Sequence, residues 1–145
     1  MTLSKNTLII NPRTGTTVFG VIPKISHRHY AFPEGNIHLR HGEHLGPSKG
    51  WGLNHIWYEH QSELIKMGYE TDERVAHYVS DIIQFGANIY CEFSRMGSER
   101  VTVLKSPFGV AILEQRYDGD NNDFYSVVTA FNNKLAYGQL IGKVG

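Results

Sequence analysis

The stretch "GWGLNHIWYEH", residues 50–60, carries two imidazoles, His55 and His60, whose side chains titrate near neutral pH and suit proton transfer. A helical metal pair of the His-Glu-x-x-His kind spaces its histidines four apart, so that both face one way. Here the spacing is five, which sets the rings about 140° apart around a helix. One ion takes both only if the helix begins after His55. His60 lies on an apolar stripe with Ile56, Trp57 and Leu64, where a histidine usually packs as a satisfied core residue. His55 falls in the first turn behind Gly50 and Gly52, where free helix amides favour an anion and glycine lets backbone approach a ligand.

Other residues of useful type are spread along the chain. Lys105 ends "VLKS" on the same side as Val101 and Val103 by strand alternation, either snorkelling to water or meeting a phosphate. Thr129 in "VVTAF" shares a side with Tyr125 and Val127 on the same count, and threonine is common in strands for its β-propensity alone. Glu114 is the mid-strand acid of "GVAILEQR" and an alternative base. Arg95 and Arg100 flank a turn, as surface charges or substrate contacts. Trp51 and Tyr137 are stacking platforms for a base, or plain packing residues. The histidine-rich run "HRHYAFPEGNIHLRHGEH" offers a metal-dependent hydrolase as a separate possibility.

Stepping of the apolar residues predicts the elements that must hold these groups. Leu53, Ile56, Trp57, His60, Leu64 and Met67 fall three or four apart and predict a helix capped by Asn54 and closed at Gly68. A second helix opens at Thr71 and closes at Gly86, with Val75, Tyr78, Val79, Ile82 and Ile83 as its stripe. The period then changes to two in "NIYCEFSR", "RVTVLKS", "GVAILEQR" and "FYSVVTAF", separated by turn residues. Short connections imply antiparallel neighbours. The expected fold is therefore α+β, two amphipathic helices packed on a four-stranded antiparallel meander, with the other sheet face free for a site. Residues 1–49 form a basic, His-rich segment with two short strands in "TLIINP" and "TTVFGVI" and loop from His27 onward, and residues 50–145 form the α+β domain.

Composition bounds the reading. The 145 residues suit one domain, 41% of them hydrophobic and 19% charged, as in a folded globular chain. No apolar run approaches bilayer length, and Leu8–Ile10 is too short for a signal peptide. Cys91 is the single cysteine, which excludes an internal disulfide and a thiolate zinc site. Net charge is zero, yet residues 1–52 hold six Lys/Arg against two Asp/Glu and residues 53–87 hold two against six. The basic third suits an anionic partner, while the neutral total leaves only a faint electrostatic footprint for nucleic acid.

"GWGLNHIWYEHQSELIKMGY", a second helix, then "IYCEFSRM", "VTVLKSPFGVAILEQR" and "FYSVVTAFNN" resemble the phage-associated and polymorphic-toxin branch of the nuclease superfamily that unites barnase, EndoU, the ribonuclease colicins and RelE. The likeness covers about residues 50–132 and rests on the ordered combination. It implies a metal-independent ribonuclease without cofactor, cleaving RNA, tRNA among the candidates, through the substrate's own 2′-hydroxyl to leave a cyclic phosphate. It implies His55 and His60 as base and acid, Lys105 and Thr129 on the scissile phosphate, Tyr137 in catalysis, and Trp51 and Arg95 on substrate. It further implies action in the bacterial cytoplasm and a cognate immunity protein as partner. Two other classes stay open: a non-catalytic phage structural or nucleic-acid-binding module, and the His-dependent metallohydrolase.

Overall fold

The computed structural model describes residues 4–27, 30–92, 100–105, 107–117, 123–136 and 138–145. Arg95 and Tyr137 lie outside the described residues. In chain order the elements are β1 (Gly20–Ile22), β2 (Ile25–His27), β3 (Tyr30–Phe32), β4 (Gly35–His38), β5 (Glu43–Gly46), β6 (Lys49–Trp51), α1 (Gly52–Lys66), a 3-10 turn (Asp72–Arg74) and α2 (Val75–Ile82). Then follow β7 (Asn88–Cys91), β8 (Arg100–Lys105), β9 (Gly109–Tyr117), β10 (Asp123–Phe131) and β11 (Gln139–Lys143).

Seven of these strands form one mixed sheet in the order β1-β4-β10-β9-β8-β7-β11, and two hairpins, β2-β3 and β5-β6, stand beside it. This corrects the expected architecture of two helices on a four-stranded antiparallel meander. β7 to β10 are antiparallel neighbours in the middle of the sheet, but the sheet does not stop there. β4 pairs with β10 in parallel, β1 adds to β4, and β11 pairs with β7 at the far edge. The reason the sequence hides these strands is their length. β1 and β4 run three and four residues, and β11 holds only two adjacent apolar residues, Leu140 and Ile141, before Gly142, too little for a period to register. The stretch from His27 to Gly50, expected as loop, holds most of β3 to β6.

Alternation along the central strands sorts the sheet into two faces. Val101, Val103, Ala111, Leu113, Val127 and Ala130 are buried with Val75, Tyr78, Val79 and Ile82 of α2, and Ile37, Leu39 and Tyr125 join the same core. Between them lie Thr102, Ile112, Glu114, Ser126, His38 and Arg40, which face away from α2. α1 packs on β10, on α2 and on the β5-β6 hairpin. No helix among the described residues is long and apolar enough to cross a membrane.

The start of α1 departs from expectation in a way that matters. Its first-turn amides are already bonded, Leu53 N–H to Arg40 O at 2.9 Å and Asn54 N–H to His41 O at 2.9 Å. Asn54 donates its side-chain amide to Gly42 O at 3.2 Å and does not cap the helix, whose N-cap position is Trp51. The loop after β4 thus lies directly on the helix end, so close that a Cβ on Gly42 would stand 1.9 Å from Trp51 O. Backbone carbonyls fill the place reserved for an anion. At the other end, Gly68 adopts φ +98° just past the helix, as the capping pattern predicts.

Candidate functional site

Registers across β4, β10, β9 and β8 bring one lateral row together on the face away from α2. His38 stands opposite Ser126, Ser126 opposite Glu114, and the backbone of Arg100 opposite Glu114. Neighbouring strands lie about 4.8 Å apart, so His38 and Glu114 flank Ser126 with roughly 10 Å between their backbones. Ser126 between them is buried, 1% exposed.

His38 is oriented. Its Nδ1 lies 2.6 Å from Thr17 O, and a carbonyl only accepts, so Nδ1 carries the proton and donates. Nε2 is left as the reactive ring atom, the arrangement by which proteins fix a histidine tautomer. The ring meets Phe124 edge-on, centroids 5.6 Å apart.

Arg40 supplies a rigid cation beside the row. Its Nε donates to Ser126 Oγ at 2.8 Å and its Nη1 to Asn6 Oδ1 at 3.0 Å. The guanidinium carbon sits 4.0 Å above the Trp51 ring and 5.7 Å from Phe124, a cation–π sandwich. Burial lowers the Arg40 pKa, the nearby Arg116 charge lowers it further and Glu114 opposes both, yet a guanidinium keeps its charge at physiological pH. Arg116 Nη2 pairs with Glu114 Oε2 at 3.2 Å. One surface therefore carries a carboxylate, an oriented imidazole, two guanidiniums and an indole.

The residues singled out from sequence spread differently. Trp51 and Glu114 belong to this surface. Thr129 joins its face because β10 carries a bulge between Val127 and Thr129; Val127 opposes Leu113 while Thr129 opposes Ile112. Simple alternation, which grouped Thr129 with Tyr125 and Val127, fails across the extra residue. The Thr129 hydroxyl oxygen is buried without a hydrogen-bond partner among the described residues. Lys105 is on the other side, in step with Val101 and Val103, and pairs with Gly109. The sheet itself separates Lys105 from Thr129.

His55 and His60 have different direct partners. His55 is buried, 4% exposed, and its Nδ1 lies 3.2 Å from Nδ1 of His44. His60 interrupts the helix with φ −123° and ψ 21°, rests against Phe131 with centroids 5.3 Å apart, and places Nδ1 3.6 Å from Glu63 Oε2. Desolvation lowers both histidine pKa values. At His55 the neighbouring Glu59 carboxylate opposes it, and the imidazoles of His44 and His60 add to it.

Sequence reasoning missed His38, Arg40 and Ser126. A signal was present: in "NIHLR", Ile37 and Leu39 alternate with Asn36, His38 and Arg40, the period of a half-buried strand. Its brevity inside a Gly- and Pro-rich run concealed it. No family model, curated protein or solved structure matches the chain.

Proposed function

We propose that this chain is a metal-independent endoribonuclease, related to the phage-associated and toxin nucleases that its second half resembles. The observation that carries the reading is the row His38–Ser126–Glu114 with Arg40 clamped between Ser126 and Trp51. RNA cleavage without a metal needs a base for the 2′-hydroxyl, an acid for the departing 5′-oxygen and positive charge for the pentacovalent phosphorane. Glu114 takes the 2′-hydroxyl proton as the 2′-oxygen bonds to phosphorus. Protonated His38 gives the Nε2 proton to the 5′-oxygen as its bond to phosphorus breaks. Arg40 and Arg116 face the developing charge, and Trp51 gives an adjacent base a surface to stack on. A 2′,3′-cyclic phosphate and a free 5′-hydroxyl result.

The substrate on this reading is RNA in the bacterial cytoplasm, and an immunity protein would act by covering the same face. The relevant experiment incubates total RNA and tRNA with purified protein in excess EDTA, comparing wild type, Glu114→Gln and His38→Ala. Cleavage by wild type to cyclic-phosphate ends, lost in both variants, is expected. Activity that disappears with chelator while the melting temperature stays unchanged assigns the chain to metal-dependent hydrolysis, and binding without turnover assigns it to a non-catalytic module.

A further inference from the structure

We propose that His44, His55 and Glu59 form a zinc site that clamps the β5-β6 hairpin to α1. The ligand atoms of these three side chains all lie within 4.8 Å of one another. Tetrahedral zinc with Zn–N bonds of 2.0–2.1 Å sets two coordinated nitrogens about 3.4 Å apart. The two Nδ1 atoms are 3.2 Å apart, already at that separation. Glu59 follows His55 by four positions on the regular part of α1, before the interruption at His60, so both project from one side of the helix.

The surroundings fit a ligand set. Glu59 Oε1 accepts the Ser48 N–H at 3.1 Å, which turns the carboxylate toward the hairpin and gives it the outer hydrogen bond that metal-bound carboxylates use. Gly50, at φ +133°, faces His55; a Cβ there would stand 2.9 Å from His55 Nδ1 and 2.3 Å from Glu43 O. Any larger residue closes the space. Tyr58 stacks on His44, centroids 5.4 Å apart, and covers its outer side. Two nitrogens and one carboxylate oxygen, all unprotonated when bound, suit zinc among the late divalent metals, with water as fourth ligand. The site shares no side chain with the His38–Glu114 row, and the two readings stand or fall separately.

The test is a zinc titration of metal-stripped full-length protein by calorimetry, with bound metal counted after desalting and the melting temperature followed with and without zinc. Wild type is expected to bind one zinc per chain and to melt higher with it. His44→Ala and Glu59→Gln, both on partly exposed side chains and each checked for an unchanged circular dichroism spectrum, are expected to bind at least about 100-fold more weakly and to lose the zinc-dependent rise. Wild type that retains no zinc and shows no rise overturns the proposal. So does wild-type affinity in either variant.

Discussion

His38 and Glu114 stand on either side of Ser126, each one strand away from it, on the sheet face that α2 leaves uncovered. On the proposed reading, His38 and Glu114 serve as acid and base on opposite sides of one phosphodiester. His38→Ala and Glu114→Gln should each lower RNA cleavage by about 10²- to 10⁴-fold, with melting temperatures near wild type because both side chains project away from the core. His55→Gln is the informative control. It should disturb zinc binding and stability, and cleavage that vanished only in this variant would move the chemistry back to α1.

Arg40→Lys keeps the charge and removes the planar group that lies on Trp51 and bonds to Ser126. Affinity for single-stranded RNA should fall roughly 10-fold, with a change in Trp51 emission. Unaltered affinity would take Arg40 out of substrate binding.

Thr129→Val removes a buried hydroxyl that has no partner among the described residues while keeping its shape. The folded state should gain roughly 1 kcal/mol, measured by urea unfolding. A fall in cleavage alongside that gain would place the hydroxyl on substrate.

Acid should weaken the fold through His55 and His60. Desolvation holds both pKa values below the ordinary 6.5, so near and below that pH the unfolded chain binds protons that the folded chain refuses. Their contribution is complete above about pH 6.5 and shrinks as pH falls toward the lowered folded values. Melting temperatures between pH 8 and 5 should therefore drop on the acid side, less steeply in His60→Gln. A flat profile would contradict the burial of these rings.

Gly42→Ala places a methyl against the Trp51 carbonyl and strains a residue at φ +74°. A loss of at least about 2 kcal/mol is expected, together with a displaced Trp51. Tolerance of alanine would mean that the loop after β4 stands off from α1.

Long, strongly patterned elements were legible. The helices around Ile56 and Tyr78 and the strands around Val103, Leu113 and Val127 follow from apolar spacing alone, because each buries one continuous face. The strand at Ile37 was not legible. Two buried residues, Ile37 and Leu39, make too short a pattern, and its partner in β10 lies far along the chain. The side of Thr129 could not be counted either, since the bulge at Val128 leaves no distinct residue type to mark it. Glu114 and Trp51 were visible by type and position, whereas their neighbours His38 and Arg40 come from the segment that carried no period. The spacing of four between His55 and Glu59 is also readable from the sequence, whereas His44 comes from the segment without a period.

The parallel seam between β4 and β10 has a consequence for biogenesis. Residues 36–38 pair with residues 124–126, so the middle of the sheet closes only after residue 126 has left the ribosome. Until then β4 offers a bare row of amides and carbonyls to any strand it meets, its own twin in another nascent chain included. Reagents that begin at residue 50 leave the matching edge of β10 bare for good, and their insolubility would say nothing about toxicity.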